Sequence, residues 1–195
     1  KTKQSGVSRG NFFMFFTNSL RFKKYICAIL IGLPTWYVIG ILVAFSNNFA
    51  IEFGITETVL PKISTMYAYV FISVADLLAG FVSQWFRSRK KALYIFYTLT
   101  IISIIFYFNQ QNGTASGMYV ICAAMGFGTG FWAIFVTMAA EQFGTNLRAT
   151  AATTVPNMVR GALPILFLLF KWLQGLFADL SHPYITAGWV TGVIV

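Results

Sequence analysis

The sequence predicts an all-α integral membrane protein, because it is poor in charge and its apolar segments have the length of membrane spans. Of its 195 residues, 57% are hydrophobic and 10% are charged, whereas soluble domains hold about 25% charged residues. A spanning helix needs about 20 apolar residues. Such segments lie at 25–46, 63–86, 92–108, 118–140 and 150–173, with a shorter one at 184–195. We therefore expect a six-helix bundle whose last helix is truncated.

The basic residues fall mainly on one predicted side of the bilayer. They are concentrated in residues 1–24, recur at 87–91 between the second and third spans, and include Arg148 between the fourth and fifth. By the positive-inside rule this side is cytoplasmic. The prediction is thus a cytoplasmic basic leader, 1–24, and a transmembrane bundle, 25–195, in a plasma or inner membrane. Topology accounts for the net charge of +9, so no nucleic-acid partner is expected.

Within the leader, "NFFMFFTNSLRFKKY" at 11–25 combines phenylalanines with basic residues. This composition suits a helix lying in the membrane interface, and it equally suits an early start of the first span. The polar beginning of the leader lacks the apolar core of a signal peptide. We therefore expect the chain to be part of a longer protein.

Polar residues form stripes on two of the predicted spans. At three- and four-residue spacing, the second span carries Thr65, Tyr69, Ser73, Asp76, Gly80 and Ser83, and the fifth carries Thr150, Thr153, Asn157, Arg160 and Pro164. Residues at this spacing share one helix face, which is expected to meet protein or water. The fourth span has a row of small residues that includes Gly126 and Gly130 and favours close approach of another helix. The third span has no polar stripe and is expected to face lipid.

Two charges lie near the predicted membrane midplane. Arg160 follows Thr150 by about ten residues, or roughly 15 Å at about 1.5 Å per residue, which is half of an apolar core about 30 Å thick. Asp76 lies at the centre of the second span. A charge at this depth costs about 2.5–3.5 kcal/mol and usually faces a cavity or a partner. The two side chains could form a structural ion pair or bind substrate or a coupling proton, and we favour the second interpretation.

Other residues complete the candidate site. Trp36, close to Pro34 near the centre of the first span, is expected to line it together with Tyr69 and Asn157 from the polar stripes. The candidate substrate-binding or coupling residues are therefore Arg160, Asp76, Asn157, Trp36 and Tyr69. Pro156 and Pro164 flank Arg160, and each removes a backbone hydrogen bond. Such breaks suit a moving helix, and they also occur as kinks in ordinary spans.

Two loops resemble signatures of the major facilitator superfamily. "GFVSQWFRSRKKAL", 80–93, is similar to the G-x-L-x-D-x-x-G-R-[RK] motif between the second and third helices of each half, with Gln84 where the aspartate would stand. "AEQFGTNLRATA", 140–151, is similar to the E-x-[FL]-P-T-x-x-R-[AG]-T motif after the fourth helix of a C-terminal half, with Gly144 in place of the proline. Together with six segments after a basic leader, the resemblance covers nearly the whole chain.

This resemblance implies the C-terminal half of a twelve-helix carrier, built from two three-helix inverted repeats. It also implies a cytoplasmic gate formed by Arg89, Glu141 and Arg148. The sequence after Arg148 is more similar to proton symporters of metabolites and organic acids than to sugar porters. The implied partners are a small-molecule substrate such as an organic anion, a coupling proton, the N-terminal half of the carrier and the lipid bilayer.

The predicted function is thus secondary active transport by alternating access. The alternative is a non-transporting receptor or scaffold bundle, which would leave the midplane charges unexplained. A channel would need a selectivity ring, and none is recognisable. No enzymatic activity and no cofactor are expected, because no cluster of catalytic groups can be identified. With His182 as the single histidine, no metal site is predicted either.

Overall fold

The computed structural model describes residues 11–195, and this part of the chain is helical and contains no strand. The all-α prediction is therefore confirmed. A 3-10 turn at Phe12–Phe15 precedes the first long helix. The helices are α1 (Ser19–Tyr37), continued by a π-helical segment (Val38–Val43), α2 (Ser46–Glu52), α3 (Pro61–Trp85), α4 (Arg89–Phe108), α5 (Ala115–Thr129), α6 (Trp132–Glu141), α7 (Thr145–Gly161), α8 (Leu163–Leu176) and α9 (Pro183–Ile194).

Five helical stretches of the described chain are long and apolar enough to cross a membrane. They are Ser19–Val43, Pro61–Trp85, Arg89–Phe108, Ala115–Glu141 and Thr145–Leu176. Each overlaps one of the five full-length spans expected from the sequence, and the 12-residue helix α9 lies at the sixth. Each helical stretch begins before the apolar segment predicted from the sequence, because polar residues that precede the segment are also helical.

Local capping explains where the first span begins. The side chain of Asn18 accepts a hydrogen bond from the amide of Leu20 at 2.8 Å, so that α1 begins at Ser19. Asparagine is among the best N-cap residues because its side-chain oxygen satisfies an otherwise unpaired amide. An α-helix that continues into the first span therefore begins within 11–25, after the short 3-10 turn. Residues 1–10 of the predicted leader lie outside the described residues.

Helices α3 and α5 pack closely through small residues. A Cβ atom added to Gly126 would lie 2.3 Å from the carbonyl oxygen of Ala68, and one added to Gly130 would lie 2.3 Å from the Cβ of Ala75. Ala68 and Ala75 are fully buried. Small residues allow two helix backbones to approach closely in this way. The backbones then gain dispersion contacts with each other. The small-residue row of the fourth predicted span thus packs against α3.

The buried apolar side chains form two clusters, one toward each end of the bundle. One cluster surrounds the π-helical segment and α2 and includes Phe49, Tyr107 and Phe170. The other contains Tyr25 and Phe135. Large apolar side chains also cover much of the outer surface. A soluble monomer rarely exposes an extensive apolar surface, so this exterior fits a lipid environment.

Replacing Gly126 by alanine should destabilise the protein by about 1–3 kcal/mol, because the added methyl group overlaps the backbone of α3. Gly80→Ala is the matched control: Gly80 also lies within a helix, but nothing lies within 4 Å of an added Cβ. The control should be neutral or gain up to about 1 kcal/mol from helix propensity. Thermal unfolding of both variants in detergent measures the difference. Equal shifts would contradict the proposed close packing.

Candidate functional site

A cavity of about 250 Å³ lies where three of the spans are interrupted. At this level α1 passes into the π-helical segment, α5 gives way to α6, and α7 gives way to α8. The cavity is lined by Thr35, Trp36, Ile39, Tyr69, Ile72, Asp76, Thr129, Trp132 and Arg160. Its lining touches both apolar clusters, because Ile39 belongs to the first and Trp36 and Trp132 pack against the second.

The sequence accounts for these interruptions. Pro34 lies inside α1 just before the π-helical segment. Pro164, in the first turn of α8, has no N–H to donate to the carbonyl of Arg160, so a continuous α-helix would lack a bond there. Between α5 and α6, Gly130 has a non-helical ψ of 51° and ends the first helix. Backbone that departs from the helix at membrane depth is tolerated where it lines a cavity or is buried in protein.

Asp76 connects α3 to the start of α6. Its Oδ1 accepts a hydrogen bond from the backbone N–H of Ala133 at 2.9 Å. Ala133 belongs to the first turn of α6, whose first amides have no partner within their own helix. A carboxylate at this position also interacts favourably with the positive end of the helix dipole. The charge of Asp76 is therefore stabilised by a helix end.

Arg160 is stabilised in the complementary way. It lies in the last turn of α7, where the negative end of the helix dipole favours a cation. Its guanidinium carbon lies 5.7 Å from the centroid of the Trp132 ring, within the range of a cation–π interaction. Within residues 11–195, Arg160 and Asp76 line one cavity without forming an ion pair with each other.

On the α1 side, the cavity wall carries two unsatisfied polar groups. Thr35 is only 7% exposed, and its Oγ1 has no hydrogen-bond partner in the described part of the protein; the same holds for the buried Nε1 of Trp36. The Trp36 ring packs edge-to-face against Trp132, with centroids 6.3 Å apart. Buried polar atoms are normally hydrogen-bonded. Thr35 and Trp36 each keep one buried polar atom without a partner among the described residues.

Of the five candidate site residues, the structure brings four into this cavity: Arg160, Asp76, Trp36 and Tyr69. Asn157 is exposed on α7 and does not line it. Sequence reasoning did not identify Thr35 or Trp132. The signal available for Trp132 was its position immediately after the glycine-rich "GFGTGF", 126–131, where a helix is weakened.

The predicted gate residues lie together only in part. Arg89, the first residue of α4, forms an ion pair with Glu141, the last residue of α6. Their side chains are 40% and 51% exposed, and exposed pairs contribute about 0.2–1 kcal/mol. Arg148 is exposed on α7 and is not part of this pair.

The fold and the cavity define an all-helical bundle with five helices of membrane-spanning length and a charged pocket in its middle. No protein-family model, no curated protein and no solved structure matches the chain. Its function must therefore be inferred from the cavity and the residues that line it.

The Asp76 cap can be tested with two substitutions. Asp76→Ala should lower the free energy of unfolding by about 0.5–2 kcal/mol, because it removes the acceptor for the Ala133 amide. Asp76→Asn keeps a side-chain oxygen at the same position and should lose much less. Chemical or thermal unfolding in detergent compares the two. If both variants lose the same stability, the contribution of Asp76 is its charge and not this hydrogen bond.

Proposed function

We propose that this chain is half of a secondary active transporter that moves a small solute across a membrane by alternating access. The observation that carries the proposal is the cavity at the level of the interrupted spans, with Arg160 and Asp76 on its walls and no ion pair between them. A scaffold bundle gains nothing from two charges held apart at this depth. A carrier of a charged substrate needs charged groups that are free to bind it.

Interrupted helices support the same proposal. In many transporters the substrate and ion sites lie near the bilayer midplane, where discontinuous helices direct their ends at the bound groups. In this protein the start of α6 and the end of α7 both reach the cavity, through Ala133 with Asp76 and through Arg160. These helix ends also provide the points at which a span can bend.

Arg160 is the proposed site for an anionic group of the substrate. A guanidinium offers a planar fork of donors that matches a carboxylate in two parallel hydrogen bonds. Asp76 is the proposed carrier of a coupling proton, a common role for carboxylates within a membrane. The substrate class proposed on this basis is a small organic anion.

The resemblance of the two loops to the major facilitator superfamily leads us to propose the remaining architecture. The first inverted repeat would comprise α1 with its π-helical extension, α3 and α4. The second would comprise α5 with α6, α7 with α8, and α9. Six further helices would form the N-terminal half, and the beginning of this chain would lie in the cytoplasm of a cell whose plasma or inner membrane holds the protein.

Arg160→Lys should reduce transport by a polypeptide that carries both halves, because lysine keeps the charge but loses the bidentate fork. Uptake and exchange of labelled organic anions in liposomes measure the effect, with a loss of tenfold or more expected if one charge-assisted hydrogen bond is lost. Arg21→Lys, a matched substitution at the beginning of α1, should transport normally. Wild-type rates in Arg160→Lys would argue against a role for Arg160 in substrate binding.

The ion pair between Arg89 and Glu141 is proposed to form part of a cytoplasmic gate, with Arg148 nearby in sequence. Glu141→Gln should shift the carrier away from the state in which the cytoplasmic side is closed, while stability changes by no more than about 1 kcal/mol. Labelling of single cysteines from each side of the membrane measures the shift. Accessibility that does not change would remove Glu141 from the gate.

A further inference from the structure

The cavity holds two opposite charges, and each retains unused bonding capacity. The carboxylate of Asp76 uses Oδ1 to accept the Ala133 amide, which leaves Oδ2 for another donor. A guanidinium has five N–H donors, and the contact of Arg160 within the described cavity is with the face of Trp132. Each side chain can therefore bind a ligand group of opposite charge.

A ligand with a single charge would leave either Asp76 or Arg160 without a group of opposite charge. A simple carboxylate satisfies Arg160 but meets Asp76 as a like charge, and a simple amine satisfies Asp76 but meets Arg160. We infer that the cavity binds a small zwitterion of the amino-acid type, with its carboxylate on Arg160 and its ammonium on Asp76. This inference rests on the proposed function, and it changes the proposed substrate from a simple organic anion to a free amino acid, whose carboxylate is the anionic group on Arg160.

The walls of the cavity restrict the amino acid further. Trp36, Trp132 and Tyr69 supply aromatic surface. An apolar side chain fits that surface better than a charged one.

The test is direct binding to the purified polypeptide that carries both halves. The twenty common amino acids are screened one at a time by thermal shift, and L-leucine is compared with 4-methylpentanoate, which lacks the ammonium, and with 3-methylbutylamine, which lacks the carboxylate. The expected result is binding of one or more apolar amino acids at least about tenfold tighter than either singly charged analogue, since each lost contact is a hydrogen bond to a charged group. Binding of 4-methylpentanoate as tightly as L-leucine, or of no amino acid at all, would overturn the inference.

Two variants assign the contacts. Asp76→Asn keeps an acceptor for the Ala133 amide, so it should fold; it should weaken amino-acid binding about tenfold and leave the affinity for 4-methylpentanoate unchanged or increased. Arg160→Gln should weaken amino-acid binding but spare 3-methylbutylamine. Arg21→Gln removes a charge far from the cavity and should leave all affinities as they are. An equal loss for all three ligands in Asp76→Asn would contradict the assigned contact.

The outcomes separate this inference from the proposed function. If the protein takes up simple carboxylates, and amino acids neither bind nor compete, the proposed transport function stands and the amino-acid ligand is rejected. Amino-acid binding with the expected analogue pattern but without uptake or exchange would support the ligand assignment and reject transport.

Discussion

The arrangement of the cavity depends on the hydrogen bond between the Ala133 amide and Asp76. A helix that begins at mid-length of the bundle leaves its first amides without partners within the helix. Asp76 supplies an acceptor from α3, and its charge suits the positive end of the helix dipole. One contact thus permits the interruption between α5 and α6, fixes α3 against it, and keeps a carboxylate at mid-depth.

The helices pack closely in one part of the bundle and leave a cavity in another part. Between α3 and α5 there is no room even for a methyl group at Gly126 or Gly130. A few residues further along, larger side chains such as Trp36 and Trp132 line the cavity. The closely packed side of the cavity is therefore formed by α3 and α5, whereas prolines accompany the breaks in α1 and between α7 and α8.

The sequence was sufficient to predict the elements whose signal is local. Apolar length identified the five long helices, and periodicity combined with depth singled out Arg160 and Asp76, which line one cavity. Asn157 shares the stripe of Arg160, but the stripe is wider than the cavity, and the spacing of residues on one helix does not tell where a neighbouring helix ends. The glycine-rich segment 126–131 marks a weakened helix, but the residue at which α5 ends also depends on the contact of Gly130 with α3. Thr35 went unnoticed because an unpaired hydroxyl is a property of its surroundings and not of its residue type.

The Asp76 cap also bears on how the protein is made. The amide that donates to this carboxylate lies 57 residues later in the chain. At a synthesis rate of about 5–20 residues per second, roughly 3–11 seconds separate the two groups on the ribosome. During that interval the carboxylate of Asp76 on α3 lacks its donor, so the contact can form only after the start of α6 has been synthesised. The contact between α3 and α6 is therefore a late one, even though α3 comes first.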